Sequence, residues 1–179
     1  MPDRPQRPHH SSIRARAPLY TPAQRARRDA SHWTLVQGIL APLQFLVFAV
    51  SVCLVLRFLA TGHGYAAATV SILLKTGLLY LIMVTGAIWE REVFGRYLFA
   101  PAFFWEDVVS IAVLALHSAY LVALYAGALA PRGLMLLALA AYATYAINAT
   151  QFLLKLRAAR LEAEPRRGPP LTGTVKFAK

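Results

Sequence analysis

Four of the eight acidic residues in the chain, Glu90, Glu92, Glu106 and Asp107, fall within eighteen positions, and six aromatic residues lie between Phe94 and Trp105. A carboxyl group set against an aromatic wall and partly withdrawn from water keeps its proton to higher pH, so it can act as a general acid near neutrality. Glu90 and Glu106 each follow a tryptophan directly, which makes them the leading candidates, with Asp107 as a neighbouring carboxylate. A structural arrangement accounts for the same residues: Glu90 and Glu92 paired with Arg91 and Arg96 on a solvated face, and Glu106 or Asp107 capping the next helix. For Glu92 the structural arrangement is preferred.

Two further ionisable residues sit in apolar surroundings, where ionisable groups are costly and therefore candidates for function. His117 stands near the middle of an apolar stretch whichever boundary is chosen. Its imidazole suits a hydrogen-bonded core residue, a metal ligand or a proton relay equally. At 100° per residue Glu106, Ser110, Val113 and His117 share one helix face, a polar stripe that should look into a bundle. Gln44 and Asn148, the latter on a face with Tyr145 and Phe152, are the expected polar partners across that bundle. Lys75 is expected to snorkel to an interface or to pair structurally. Hydrolase, nucleotide-driven and thiolate-metal chemistry find no support: there is no Ser/His/Asp order, glycine-rich phosphate loop, zinc spacing or haem-attachment motif.

The elements that must position these groups are membrane helices. Of 179 residues, 58% are hydrophobic, and the mean hydropathy of +0.48 is too high for an ordinary soluble domain. A span needs about 20 mostly apolar residues. That length criterion predicts four helices at about 35–59, 66–89, 108–129 and 134–154, within a transmembrane domain covering 35–160. Gly62 and Gly64 break the first pair, Pro131 and Gly133 the second. Residues 90–107 read as an interfacial loop, too polar to span and rich in rings suited to the headgroup zone. Residues 1–34 and 161–179, rich in Arg and Pro, read as disordered basic cytoplasmic tails. The expected fold is therefore all-α, a polytopic four-helix bundle.

Charge sets the expected orientation. Sixteen of the nineteen Lys and Arg residues lie before the first span, in the 90–107 loop or from Lys155 onward, against Arg57 and Arg132 on the opposite side. The positive-inside bias puts both termini and the acidic aromatic loop in the cytoplasm. The net charge of +11 is explained by this bias and by attraction to anionic lipid, so no nucleic-acid partner is expected. Arg27-Arg28 precedes an apolar run long enough to span and without a cleavage motif, so no cleaved leader is expected. The single cysteine, Cys53, rules out a disulfide framework. A transporter would need a polar path through the whole membrane, which the side away from the loop does not offer.

Three strings, YTPAQRARRDASHWTLVQGILAPLQFLVF, VSILLKTGLLYLIMVTGAIWE and FGRYLFAPAFFWEDV, resemble the 2-vinyl bacteriochlorophyllide hydratase family of phototrophic bacteria. The resemblance runs from about Tyr20 to Leu161 and includes the unusual loop from Phe94 to Asp107. It implies a hydro-lyase of bacteriochlorophyll biosynthesis that adds water to the ring vinyl group of chlorophyllide a or a bacteriochlorin relative, giving a 1-hydroxyethyl group. The implied setting is a bacterial cytoplasmic or intracytoplasmic photosynthetic membrane. The implied partners are a magnesium chlorin or bacteriochlorin, lipid and other pigment-synthesis enzymes. Such a hydration needs a proton, a delocalised cation and water, with no redox cofactor; magnesium enters only as part of the pigment. On position and chemistry, Glu106 or Glu90 would protonate the vinyl carbon, and Asp107 or the conjugate carboxylate would handle the water. Arg91 or Arg96 would meet the propionate, Phe99, Phe103, Phe104 and Trp105 would stack on the ring, and His117 would bind the magnesium. The alternative is a non-catalytic pigment carrier or assembly factor using the same aromatic mouth.

Overall fold

The computed structural model describes residues 19–163, which form five helices and no strand. The expected disorder of residues 1–18 and 164–179 lies outside the described residues. Four helices are long and apolar enough to cross a membrane: α2 (His32–Thr61), α3 (Tyr65–Phe94), α4 (Phe104–Tyr125) and α5 (Pro131–Ala163), preceded by a short α1 (Pro22–Ala30). The chain is thus an all-helical, four-span bundle. Large apolar side chains such as Leu35, Ile39, Leu46, Val70, Val84, Val122, Ile147 and Leu153 point outward, as lipid-facing positions must.

The helices pair as two antiparallel hairpins, α2 with α3 and α4 with α5, and the hairpins meet chiefly through α2 against α5 and α3 against α4. At one end the connections are tight. Gly62 and Gly64, both at positive φ (76° and 87°), turn α2 into α3 in three residues, a geometry that costs glycine nothing. Beneath these turns Val55, Ala68, Ile72, Tyr120, Leu134, Met135, Ala138 and Tyr142 form the larger apolar core. Pro42 is accommodated within α2 without ending it.

The other end, the loop end, carries the candidate site residues and departs from expectation in two ways. Residues 19–34, read from composition as part of an unordered tail, are structured. Thr21 and Gln24 form a capping box, Pro22 sits in the first turn, and α1 stops at Ser31, whose hydroxyl in turn accepts from Trp33 N to cap α2. Local capping alone would not hold nine residues. Docking does: Tyr20 is buried among Phe94 and Phe103, Arg27 Nε donates to Val93 O at 3.0 Å, and Ser31 Oγ donates to Glu92 Oε2 at 2.7 Å.

The second departure concerns residues 90–107. Glu90–Phe94 continue α3 and Phe104–Asp107 already belong to α4, so the connecting loop is only 95–103. Charges end an apolar run without ending a helix, because the backbone ladder needs only good helix formers; Gly95, at φ 83°, is what stops α3. For the same reason α5 runs on through Lys155 to Ala163 rather than stopping at 154. The loop folds back onto the bundle, burying Ala100 and Phe103 while Tyr97 and Phe99 stay exposed.

Truncating a buried aromatic costs about 3–5 kcal/mol where the site cannot collapse. Tyr20→Ala should therefore loosen α1, and tryptic cleavage after Arg27 in detergent-solubilised protein should accelerate on the order of tenfold or more. Unchanged cleavage, followed by mass spectrometry, would show that Tyr20 does not hold the segment.

Candidate active site

Helix α3 delivers Glu90 to the loop end and the first turn of α4 delivers Glu106 and Asp107; all three are buried, at 5%, 7% and 4% exposure. A carboxyl group buried at the edge of an apolar bundle must find donors. The loop supplies two. Phe99 N donates to Asp107 Oδ2 at 2.7 Å, and Ala100 N donates to Glu90 Oε2 at 3.3 Å. To present its N–H this way Phe99 adopts φ 59°, a left-handed conformation that costs a non-glycine residue about 1–2 kcal/mol. The carboxyls of Glu90 and Asp107 also act on each other electrostatically, and two like charges buried side by side disfavour one another, which favours a proton on one of the pair. The third carboxyl is placed differently: Glu106 Oε2 is 2.5 Å from Lys155 Nζ, which also donates to Ala102 O.

An aromatic cluster closes the bundle behind these groups. Phe103 stacks with Phe152 (5.9 Å between ring centroids) and meets Trp89, Phe94 and Tyr20 edge-on or tilted; Trp89 Nε1 donates to Thr34 Oγ1 at 2.9 Å. Phe103 is thus a packing residue, at 2% exposure, and has no free face. Phe104 and Trp105 differ: they are 43% and 70% exposed, and with Phe99 they form a continuous step of rings (Phe99 to Phe104 5.7 Å, Phe104 to Trp105 5.4 Å) beside the carboxyls. Arg91 and Arg96 are exposed at the same end, Arg91 lying 4.5 Å from the Tyr97 ring centroid.

A separate polar layer occupies the middle of the bundle. His117 is buried with Nδ1 2.8 Å from Val113 O; a carbonyl only accepts, so Nδ1 carries hydrogen and, in the neutral ring, Nε2 keeps its lone pair. Of the two expectations for Lys75, snorkelling fails and a structural contact is found. Its ammonium is fully buried, 3.6 Å over the Tyr145 ring, with no hydrogen-bond acceptor among the described residues. The reason is depth: position 75 lies ten residues into α3, too far for the stem to reach an interface. Gln44 is buried with both amide atoms unpartnered, whereas Asn148 Nδ2 donates to Ser110 Oγ at 2.8 Å.

The structure therefore brings Glu90, Glu106 and Asp107 together with the exposed rings of Phe104 and Trp105. It leaves His117 elsewhere. Eleven residues separate His117 from Glu106 on one helix, about 16 Å of rise. The expected pairing of Glu90 and Glu92 with Arg91 and Arg96 is absent: among the described residues the ion pairs are Arg28 with Asp29 and Glu106 with Lys155, and Glu92 takes its bond from Ser31. Neither Glu106 nor Asp107 caps α4, whose N-cap position is Phe103. Lys155 was legible only as a charge ending a span. Yet Tyr145, Asn148, Phe152 and Lys155 follow one helical face, and that spacing already aims Lys155 at the same interior as Asn148.

Fold and site together define a multi-pass helical membrane protein whose acid–base groups are gathered under an aromatic step at one end. Comparison with known proteins narrows that class. The sequence profile of the 2-vinyl bacteriochlorophyllide hydratase (BCHF) family matches residues 20–158, and the chain belongs to that family. It is 74% identical over 147 residues to the 2-vinyl bacteriochlorophyllide hydratase of Cereibacter sphaeroides, covering 82% of this chain and 91% of that one. It is 66% identical over 164 residues to the protein of the same name from Rhodobacter capsulatus, covering 91% of each. No solved structure matches the chain.

The middle layer yields a stability test. An unpaired ammonium at the bilayer centre costs about 2.5–3.5 kcal/mol on insertion scales, and its cation–π contact returns about 2 kcal/mol. Lys75→Met should thus raise the unfolding midpoint in mild detergent, by on the order of 1 kcal/mol from the difference of those two terms. A lowered midpoint would mean that the ammonium has a stabilising partner.

Proposed function

We propose that this chain adds water across the ring vinyl group of a chlorophyllide a or bacteriochlorophyllide, giving the 1-hydroxyethyl pigment on the route to bacteriochlorophyll. The observation that carries the reading is the match to vinyl hydratases through every described helix. The loop-end chemistry suits that reaction.

Hydration of a conjugated vinyl group begins with a proton delivered to its terminal carbon. The pair of buried, mutually repelling carboxyls, Glu90 with Asp107, is the donor in this scheme, since burial and like charge favour keeping one proton on it. The electron pair of the double bond forms the new C–H bond, and the adjacent carbon becomes a cation spread over the macrocycle. The neighbouring carboxylates stabilise it electrostatically. Water then bonds to that carbon and loses a proton to Glu106, which stands as the carboxylate of an ion pair and is therefore the acceptor. One water is consumed, one C–H and one C–O bond form, and the carboxyls return to their starting protonation through solvent. The chemistry calls for no redox cofactor, and magnesium takes part only within the pigment.

Recognition is assigned to exposed groups. Phe104 and Trp105, with Phe99, offer flat faces to the macrocycle, and Arg91 or Arg96 meets its carboxylate at the membrane surface. Phe103 supports the step from behind instead of stacking on the ring. The magnesium lies less than one ring width from the vinyl substituent, while His117 is about 16 Å along the helix from Glu106, so His117 is not assigned to the metal. The loop end faces the cytoplasm by the positive-inside bias, in the cytoplasmic or intracytoplasmic photosynthetic membrane.

Membranes containing the protein, given vinyl pigment in water labelled with heavy oxygen, should place the label in the hydroxyethyl group. Unlabelled, unchanged pigment would instead mark a carrier. Glu90→Gln and Asp107→Asn keep the acceptors that hold the loop but remove the shared acid, so each should lower turnover by roughly 10²-fold or more. Full activity in both variants would dismiss the pair as proton donor.

A further inference from the structure

Lys155 is the one cation whose ammonium reaches the carboxyl cluster among the described ion pairs, and it comes from α5, the helix that contributes no acid to the cluster. Its Nζ serves two acceptors on two different elements: Glu106 Oε2 in α4, at 2.5 Å, and the carbonyl of Ala102 in the loop. It also lies 5.0 Å from the centroid of Phe103, the ring at the centre of the aromatic cluster. The pair is only partly withdrawn from water, with side-chain exposures of 25% for Lys155 and 9% for Glu106. Such a pair adds little to stability, since desolvation offsets most of the Coulomb attraction. What it does supply is direction. Among the described residues Glu106 has no other hydrogen-bond partner, so Lys155 sets where its carboxylate points.

Resting on the hydratase reading above, we propose that Lys155 is the positioning residue that divides labour among the three carboxyls. It ties Glu106 into an ion pair as the acceptor of the water proton, and leaves Glu90 and Asp107 to hold the proton that is given to the pigment. Its second contact, to Ala102 O, holds the ammonium itself in place beside Glu106. Lys155 acts through Glu106 and need not touch the pigment. Loss of this arrangement changes the chemical step more than pigment binding, which belongs to the exposed rings and arginines.

The test uses the full chain in detergent or nanodiscs, with vinyl pigment as substrate. Lys155→Met should lower kcat by on the order of tenfold to a hundredfold, the scale of a misplaced catalytic group, with KM nearly unchanged. Lys155→Arg, which keeps the charge and two donors, should restore most of kcat. The double variant Glu106→Gln/Lys155→Met should be no slower than Glu106→Gln alone, because both act at one point. The kcat loss of Lys155→Met should persist well below its thermal midpoint, which a loss caused by unfolding would not. If Lys155→Met does not accumulate, Lys155→Gln, which keeps a donor for Ala102 O without the charge, should show the same kcat loss. Wild-type kcat in the Met or Gln variant, an Arg variant as slow as Met, or multiplying losses in the double variant would each overturn the proposal. An inactive wild type would overturn the hydratase reading together with this one; an active wild type confines any failure to Lys155.

Discussion

Three carboxyl groups buried at the end of an apolar helix bundle impose the constraint that organises everything around them: each must find a donor where water is scarce. The backbone of loop 95–103 provides donors for Asp107 and Glu90, and Phe99 takes up a left-handed conformation to do so. Lys155 provides for Glu106. The carboxyls therefore hold the loop, and the loop holds the carboxyls. Behind them Tyr20, Trp89, Phe94, Phe103 and Phe152 form an aromatic cluster, while Phe99, Phe104 and Trp105 remain exposed nearby.

The remainder of the bundle has a different character. Its middle contains Gln44, Lys75 and His117, buried and short of hydrogen-bond partners, and its far end is packed with Val55, Ile72, Tyr120, Met135 and Tyr142 beneath glycine turns. Along the bundle axis that division separates an apolar, tightly packed part from the end that gathers the titratable groups and exposed rings. It also explains why a bulky ring system would be handled at the loop end, where flat faces are exposed, and not between helices, where no described side chain leaves such a face open.

The segment before α2 is part of the site's architecture. Tyr20 inserts into the aromatic cluster, Arg28 covers its ring at 4.9 Å, and Ser31 both caps α2 and bonds Glu92. An arginine-rich stretch of low hydrophobicity is ordinarily a solvated tail. Here one buried ring and a few directed hydrogen bonds are enough to order it. The family match likewise begins at residue 20, where this segment starts.

By itself the sequence determined the four spans, the two tight turns and the end of the bundle at which acids, arginines and aromatics gather, because length of apolar run, glycine breaks and charge counts are local properties read one residue at a time. It also placed Glu106, Ser110, Val113 and His117 on one inward face, since helical periodicity is local too, and all four are buried. Only the tertiary structure decided which groups meet. It paired Glu90 with Asp107, gave Glu106 to Lys155 from a helix 49 positions away, turned Phe103 inward and Trp105 outward, and sank Lys75 beneath Tyr145. Those outcomes depend on how two hairpins and a folded-back loop pack against one another. A carboxyl's role depends on its donors, and donors distant in sequence become neighbours only when the chain has closed around them.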